Sequence, residues 1–410
     1  MQYRIMKSTG DSLSALGFGC MRLPRKGVGT DEERSIKQLR YAIDNGVNYL
    51  DTALLYPGSE TVVGKALQDG YREKVKIATK LPYSQVQKRE DMDKLLDVQL
   101  QKLKTDHVDY YLLHNLNLAA WEKFKSLGAI DFITKAKADG RIRHMGFSSH
   151  TSTPEFKKLV DAYDWEFCQI QYNILDETNQ AGKEGLKYAA SKGLGVIIME
   201  PLRGGSLARA PPAEIQAIWD ESEVKRTPAE WALRWVWNHP EVTVVLSGMN
   251  VEAHIEENLR IANDALPNSL SDKDMAIIER VKETYRKRLK VGCTGCQYCM
   301  PCPAGVNIPA CFEAYNNTAL GNPMMARINY MINVGGGLDG SSPKGFASQC
   351  KSCGKCVKVC TQHIDIPAQL KDASKAMENP TSKVMFGIMR PVMNFYMNRE
   401  RKKNLKKART

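Results

Sequence analysis

Four ionisable residues stand at or just beyond the ends of successive short apolar runs: Asp51, Tyr56, Lys80 and His114. Together they are equipped to reduce a carbonyl. Hydride delivery to a carbonyl carbon leaves an alkoxide that needs a proton, and a tyrosine hydroxyl can supply it. Free tyrosine is a poor acid near neutrality, with a pKa of about 10. A neighbouring lysine ammonium favours the phenolate and so eases donation, and a carboxylate holds that ammonium in place. An imidazole beside the carbonyl oxygen orients and polarises it. Each residue alone has a bland reading: His114 as a satisfied core histidine, Asp51 as a strand-end cap, Lys80 as a solvated charge. Packing is a poor account of all four, in order, at strand ends.

Cysteine is the second chemical signal. Of eleven, only Cys20 and Cys168 precede residue 290, and nine crowd into positions 293–360. Cys293, Cys296, Cys299 and Cys302 form a first run closed by Pro303, and Cys350, Cys353, Cys356 and Cys360 form a second. The second has the C-x2-C-x2-C-x3-C spacing of bacterial-type ferredoxins, and the first is one residue shorter in its last gap. In such pairs three thiolates turn around one cubane while the fourth cysteine reaches the other. That assigns Cys293, Cys296, Cys299 and Cys360 to one [4Fe-4S] cluster and Cys302, Cys350, Cys353 and Cys356 to the other. Structural zinc is the competing reading, although zinc sites take two C-x2-C pairs that are well separated. Asn307-Ile308-Pro309 and Asp365-Ile366-Pro367 trail the two runs alike, as paired halves would. Cys20, Cys168 and Cys311 read as small buried apolar residues. The short first spacer and the insert at 303–349 depart from a compact ferredoxin, which leaves open that one cluster is lost or ligated differently.

The elements that must position these residues follow from periodicity. Apolar runs at 13–19, 47–53, 75–80, 107–114, 142–148, 167–172, 196–201 and 242–247 alternate with amphipathic stretches at 31–45, 91–103, 121–138, 154–162, 182–192, 228–238 and 251–263. Thr153-Pro154 and Thr227-Pro228 read as caps followed by a first-turn proline. Strands that are apolar nearly throughout, alternating with helices, predict a (β/α)8 TIM barrel with its site at the carboxyl face. A doubly wound sheet would carry G-x-G-x-x-G after an early strand, and none is present. The expected organisation is a barrel over 1–266, a linker helix over 267–290, a smaller, mainly helical ferredoxin-like iron–sulfur domain over 291–380, and a tail over 381–410. Gly335-Gly336-Gly337 reads as a spacer.

The formal charge of +12 is local: residues 381–410 hold nine Lys/Arg against Glu400, a net of +8, which leaves +4 for the rest. Nucleic acid is therefore not an expected partner. The tail joins apolar stretches at 384–389 and 392–397 to a basic end, so residues 383–410 are a candidate for contact with an anionic membrane or an acidic redox partner. A solvated, frayed terminus is the bland alternative. No run of 18 apolar residues is present and the first residues lack a signal-peptide core, so a cytoplasmic protein is expected.

The blocks Leu16-Gly17-Phe18-Gly19, Leu50-Asp51-Thr52-Ala53 with Tyr56 and Glu60, Ala78-Thr79-Lys80, and Leu113-His114-Asn115 resemble the aldo-keto reductase family over residues 10–264. The chain as a whole is similar to the family's branch with a C-terminal ferredoxin-type domain. The resemblance implies Tyr56 as general acid, Lys80 and Asp51 as its tuners, and His114 as substrate orienter. It also implies a nicotinamide nucleotide. Ser148, Ser149 and Gln171 match carboxamide-holding positions, and Met199, Pro201, Leu202, Arg203 and Gly204 match the loop over nicotinamide and pyrophosphate. Ser247, Gly248, Glu257 and Asn258 match the adenosine end. Two departures stand out. Met199 replaces the aromatic that many members stack on nicotinamide, and Gly248 and His254 align where a Lys and an Arg usually meet the 2′-phosphate. These raise NAD(H), or a flavin such as FMN, against NADP(H). The expected function is nicotinamide-dependent carbonyl/alcohol redox chemistry on a small substrate, coupled through two clusters to a redox partner protein. A flavin-containing electron-transfer protein with a vestigial tetrad is the alternative, since nicotinamide moves two electrons and a cubane one. A carbonyl reductase whose clusters only stabilise the fold is a third. The substrate and the oligomeric state are not indicated.

Overall fold

The computed structural model describes residues 1–26, 29–320, 323–336 and 343–380. Cα packing divides the chain into two units, one of Met1–Arg209 with Ser222–Ile278, the other of Glu279 onward with Ala210–Glu221. The 381–410 tail, with its candidate membrane or partner contact, lies outside the described residues, as does Gly337.

The first unit is the expected barrel. Its strands are β1 (Leu16–Gly19), β2 (Tyr49–Asp51), β3 (Lys76–Pro82), β4 (Val108–His114), β5 (Ile142–Ser149), β6 (Phe167–Gln171), β7 (Gly195–Met199) and β8 (Val242–Ser247). All pair in parallel and close as an unbroken ring. Both faces of a barrel sheet are covered, which is why β4 and β8 are buried at every position. The surrounding helices are α1 (Glu32–Asp44), α2 (Ser59–Ala66), α3 (Arg89–Leu103), α4 (Leu118–Ser126), α5 (Ala129–Ala138), α6 (Thr153–Val160) and α7 (Gly182–Ser191). After α8 (Ala213–Trp219), which belongs to the second unit, come α9 (Pro228–Trp237) and α10 (Glu252–Ala262). Thr227 caps α9 as expected, its hydroxyl accepting from Glu230 N at 3.1 Å with Pro228 in the first turn.

Three expectations are corrected. The apolar run at 13–19 is two elements: Ser12–Ser14 pairs antiparallel with Tyr3–Ile5, and only Leu16–Gly19 enters the barrel. The stretch at 121–138 is two helices, because Gly128 at φ 81° turns the chain between α4 and α5. Thr153 is not a cap: Ser152 holds that position, and the Thr153 hydroxyl donates to Gln180 O at 3.0 Å.

The amino-terminal hairpin is part of the barrel core. Met6 and Leu13 join Tyr49, Tyr110, Phe167, Ile197 and Val244 in one buried cluster. The Arg4 guanidinium donates to four carbonyls, Trp237 at 2.6, Val242 at 2.5, Ala265 at 2.9 and His239 at 3.2 Å. These lie at the entrance to β8 and past α10, so hairpin and closing strand are fastened together. Burial pulls the Arg4 guanidinium down to about 10.

The second unit is mainly helical, with no strand among its described residues. The helix α11 (Asp272–Arg288) runs across the division and is followed by α12 (Ile308–Leu320), α13 (Pro323–Asn333), α14 (Lys355–Lys358) and α15 (Ile366–Met377). The two motifs trailing the cysteine runs are equivalent helix starts. Asn307 Oδ1 accepts from Ala310 N at 3.4 Å and Asp365 Oδ1 from Ala368 N at 3.3 Å, each with proline in the first turn. Phe312, Tyr330, Ile366, Leu370 and Met377 form its core. Among the described residues no helix is long and apolar enough to cross a membrane.

Candidate active site

Strand register sets the tetrad. Asp51 is level with Gly19 on β1 and Ala78 on β3, and Lys80 lies two residues beyond Ala78, on the same face of its strand. The flexible Lys80 stem therefore reaches back across one strand. Its ammonium donates to Asp51 Oδ1 at 2.6 Å, Asp51 Oδ2 at 2.7 Å and Thr52 O at 2.8 Å. Both side chains are buried, 2% and 5% exposed, so the pair forms in a medium that screens it poorly. An ammonium has three protons, and all three are committed.

Tyr56 and His114 stand over this pair. The Lys80 ammonium is 5.1 Å from the Tyr56 ring centre, and the Tyr56 and His114 rings meet edge-on at 6.1 Å and 88°. Burial pushes the Tyr56 hydroxyl well above the usual tyrosine range; Asp51 and Glu200 add to this and Arg22 opposes it. The sequence reading expects Lys80 to draw Tyr56 toward the phenolate. In this arrangement the lysine is engaged by Asp51 and Thr52, and Tyr56 is held protonated, the state from which a proton is given. Burial, then the charge of Lys80 and the neighbouring His150, hold His114 well below the ordinary imidazole range. His114 is therefore neutral, and its buried Nδ1 has no hydrogen-bond partner. An orphaned buried nitrogen costs about 1–3 kcal/mol unless a ligand meets it, which suits a group that contacts substrate.

The outer supports were missed by sequence reasoning. Gln169 Nε2 donates to Asp51 Oδ2 at 3.2 Å; it lies two residues before Gln171 on β6, on the same face, which was the available signal. Behind β3, the buried Gln99 donates to Glu60 Oε1 at 2.7, Thr79 Oγ1 at 3.0 and Lys80 O at 3.1 Å, and accepts from Tyr111 at 2.7 Å. Gln99 thus holds the Lys80 carbonyl, and Glu60 fixes Gln99 and the Thr79 hydroxyl beside it.

The expected nucleotide residues divide. Ser148 Oγ accepts from Asn115 N at 2.9 Å, and Ser149 Oγ donates to Leu116 O at 2.9 Å, so both fasten the loop that follows His114. Gln171 and Arg203 are joined through Asp176, whose Oδ2 accepts from Gln171 at 2.9 Å, Asn173 at 3.0 Å and Arg203 at 3.1 Å. Arg203, expected at a phosphate, is buried against this carboxylate. Gln180 donates to Gln171 Oε1 at 2.6 Å and accepts from His150 at 2.9 Å. Asn258 donates to Ser247 Oγ at 2.7 Å, whereas Glu257 accepts from Thr227 at 2.6 Å at the start of α9. The stretch from Met199 through Pro201 and Leu202 to Gly205 bends through left-handed backbone at Glu200, Arg203, Gly204 and Gly205. A Cβ on Gly205 would meet nothing within 4 Å, and one on Gly248 nothing nearer than Gly19 O at 3.7 Å. The serines, amides and open glycine backbone fit a nucleotide chemically; no side chain from the tetrad is diverted to hold it.

In the second unit the thiols gather as two sets. Cys293, Cys296, Cys299 and Cys360 line one cavity with Ile308, Phe312, Ile364 and Ile366. Burial, with those three cysteine neighbours, pushes the Cys299 thiol up to about 12. Cys302, Cys350 and Cys353 are correspondingly the cysteines that act on Cys356. No disulfide links any of them. Among the described residues no three His, Cys, Asp or Glu side chains close tightly enough for a single metal ion. Four thiols spread around an apolar cavity fit a cluster by their donor chemistry, since thiolate ligands select iron–sulfur centres.

With this geometry in hand, the chain belongs to the aldo/keto reductase family, whose model matches residues 15–283, and a 4Fe-4S dicluster domain matches residues 292–364. It is 27% identical over 296 residues to the methylglyoxal reductase YeaE of Escherichia coli, covering 68% of this chain and 95% of that protein. It is 25% identical over 314 residues to an L-galactose dehydrogenase of Arabidopsis thaliana, covering 70% and 96%. The solved structure of aldo-keto reductase AKR11C1 from Bacillus halodurans is similar with a TM-score of 0.58 and 27% identity, over 68% of this chain and 96% of that one.

Proposed function

We propose that the protein is a nicotinamide-dependent oxidoreductase of small carbonyls or alcohols, with Tyr56 as proton donor, whose two cysteine sets hold [4Fe-4S] clusters that exchange electrons with a partner. The observation that carries the catalytic part is the buried Lys80–Asp51 pair beneath a protonated Tyr56 and a neutral His114. The nicotinamide supplies the hydride when bound. Neutral His114 donates a hydrogen bond to the carbonyl oxygen and fixes it beside Tyr56. The Tyr56 hydroxyl then gives up its proton to the forming alkoxide. As charge develops on the tyrosine oxygen, the adjacent ammonium offsets it, and Asp51 with Gln169 keeps that ammonium from moving. In the oxidative direction the same groups run in reverse, Tyr56 receiving the proton. Relatives named for an aldehyde reductase and for a sugar dehydrogenase support both directions.

The cluster part rests on Cys293, Cys296, Cys299 with Cys360, and Cys302 with Cys350, Cys353 and Cys356. Protein isolated without oxygen should contain about eight irons per chain, from two four-iron clusters. Its visible absorption should bleach during turnover when a reduced one-electron carrier protein is present, each cluster taking one electron. About four irons would remove one cluster, zinc in place of iron would remove both, and turnover without any bleaching would leave the clusters a structural part.

Cofactor choice is read from Gly248 and the exposed His254, which offer no fixed cation to a 2′-phosphate. NADH is expected to bind at least as tightly as NADPH in a fluorescence titration at moderate salt. NADPH tighter by about tenfold, or ~1.4 kcal/mol, would require a basic residue at the adenosine end besides Gly248 and His254.

A further inference from the structure

We propose that the exposed shoulder of the second cysteine run, Lys351, Lys355 and Lys358 around Cys353, is a docking surface for a small acidic one-electron carrier protein. This rests on the reading that Cys302, Cys350, Cys353 and Cys356 hold a cluster.

The two thiol sets differ in access. Cys293, Cys296, Cys299 and Cys360 are half-buried around an apolar cavity, whereas Cys353 is exposed to solvent. The backbone there stands outward: Lys351, Ser352, Lys355, Val357, Lys358 and Val359 are all exposed, the two valines at 39% and 48%. Residues 343–364 hold four lysines and no acid. The next acid, Asp365, spends its carboxylate on the Ala368 N–H at the start of α15. None of Lys351, Lys355 and Lys358 makes an ion pair with a described acid. Basic side chains elsewhere, such as Arg34 with Glu252, Arg40 with Asp69 and Arg141 with Asp93, are paired.

Unpaired like charges within eight residues repel one another, and an acidic face relieves that repulsion on contact. The charges steer the encounter, and the two valines give the contact its apolar centre. Three lysines and two valines suit the limited interfaces of transient redox encounters, below about 1,200 Å² in total. Each encounter moves one electron, the carrier being oxidised and the cluster reduced by one, with no bond made or broken.

The test uses the full chain, isolated anaerobically with its iron content measured, and an acidic two-cluster ferredoxin as probe. Calorimetric binding at low ionic strength should weaken by about tenfold or more in the variant Lys351→Glu/Lys355→Glu/Lys358→Glu, and less in the corresponding triple Gln variant. The difference from wild type should shrink at high salt, where the charges are screened. A chain ending at Pro380 should keep its binding, because the basic tail is not the surface. Equal binding by wild type and the triple Glu variant at matched iron content overturns the proposal, as does loss of binding on tail truncation alone. A reversal that shifts the cluster potential but not carrier binding also overturns it, since the lysines would then only offset thiolate charge. If wild type lacks iron, the cluster reading itself fails; iron-loaded protein that ignores the carrier sinks only the docking surface.

Discussion

Tyr56→Phe should lower carbonyl reduction by about 10²-fold or more while leaving nucleotide binding in place. The substitution removes one oxygen and keeps the ring, so the edge-on contact with His114 and the position over the Lys80 ammonium are retained. Nothing in the Lys80–Asp51–Thr52 hydrogen bonds depends on the hydroxyl. The lost function is thus the proton itself, which water must then supply from no fixed position. The measurement is single-turnover hydride transfer beside a fluorescence titration of NADH. Wild-type turnover in the variant would show that another group supplies the proton.

The second large effect is on stability. Asp51→Asn leaves a buried ammonium with a neutral neighbour, and Lys80→Met leaves a buried carboxylate with only the Gln169 amide. Removing one partner of a buried ion pair costs about 3–5 kcal/mol, because the survivor is neither solvated nor compensated. Each single variant should unfold at clearly lower denaturant. The double variant Asp51→Asn/Lys80→Met should recover much of the loss, since it buries no net charge. Activity should not recover with it, as no ammonium remains beside Tyr56. Additive losses in the double variant would mean that the two residues act independently, contrary to contacts of 2.6 and 2.7 Å.

The barrel was legible because the strands are apolar nearly throughout and separated by helical periodicity. The grouping of Asp51, Tyr56, Lys80 and His114 was legible because packing is a poor account of four ionisable residues at successive strand ends; their catalytic roles are proposed. The errors lie where local pattern is silent about tertiary choice. Leu13 and Leu16 belong to one apolar run, yet pairing with Tyr3–Ile5 draws the first part out of the barrel wall. The helix α2 went unread because its charges are few and Tyr56 just before it looked like loop. Gln99, Gln169 and Asp176 are ordinary polar residues in sequence, and only burial beside a charge makes them supports for the site. The commitment of Arg203 to Asp176 was invisible for the same reason: 27 residues separate them, and nothing in either neighbourhood names the other.

The hairpin fastened by Arg4 makes the barrel a vessel with a stopper. Met6 and Leu13 pack with Tyr49, Tyr110 and Phe167 in one buried cluster, so the amino-terminal hairpin plugs that end of the barrel. Reactants are left the opposite rim, where the strands carrying Asp51, Lys80 and His114 end. A stopper built from residues 4–13 thus fixes which rim is left open without adding a side chain to the site itself.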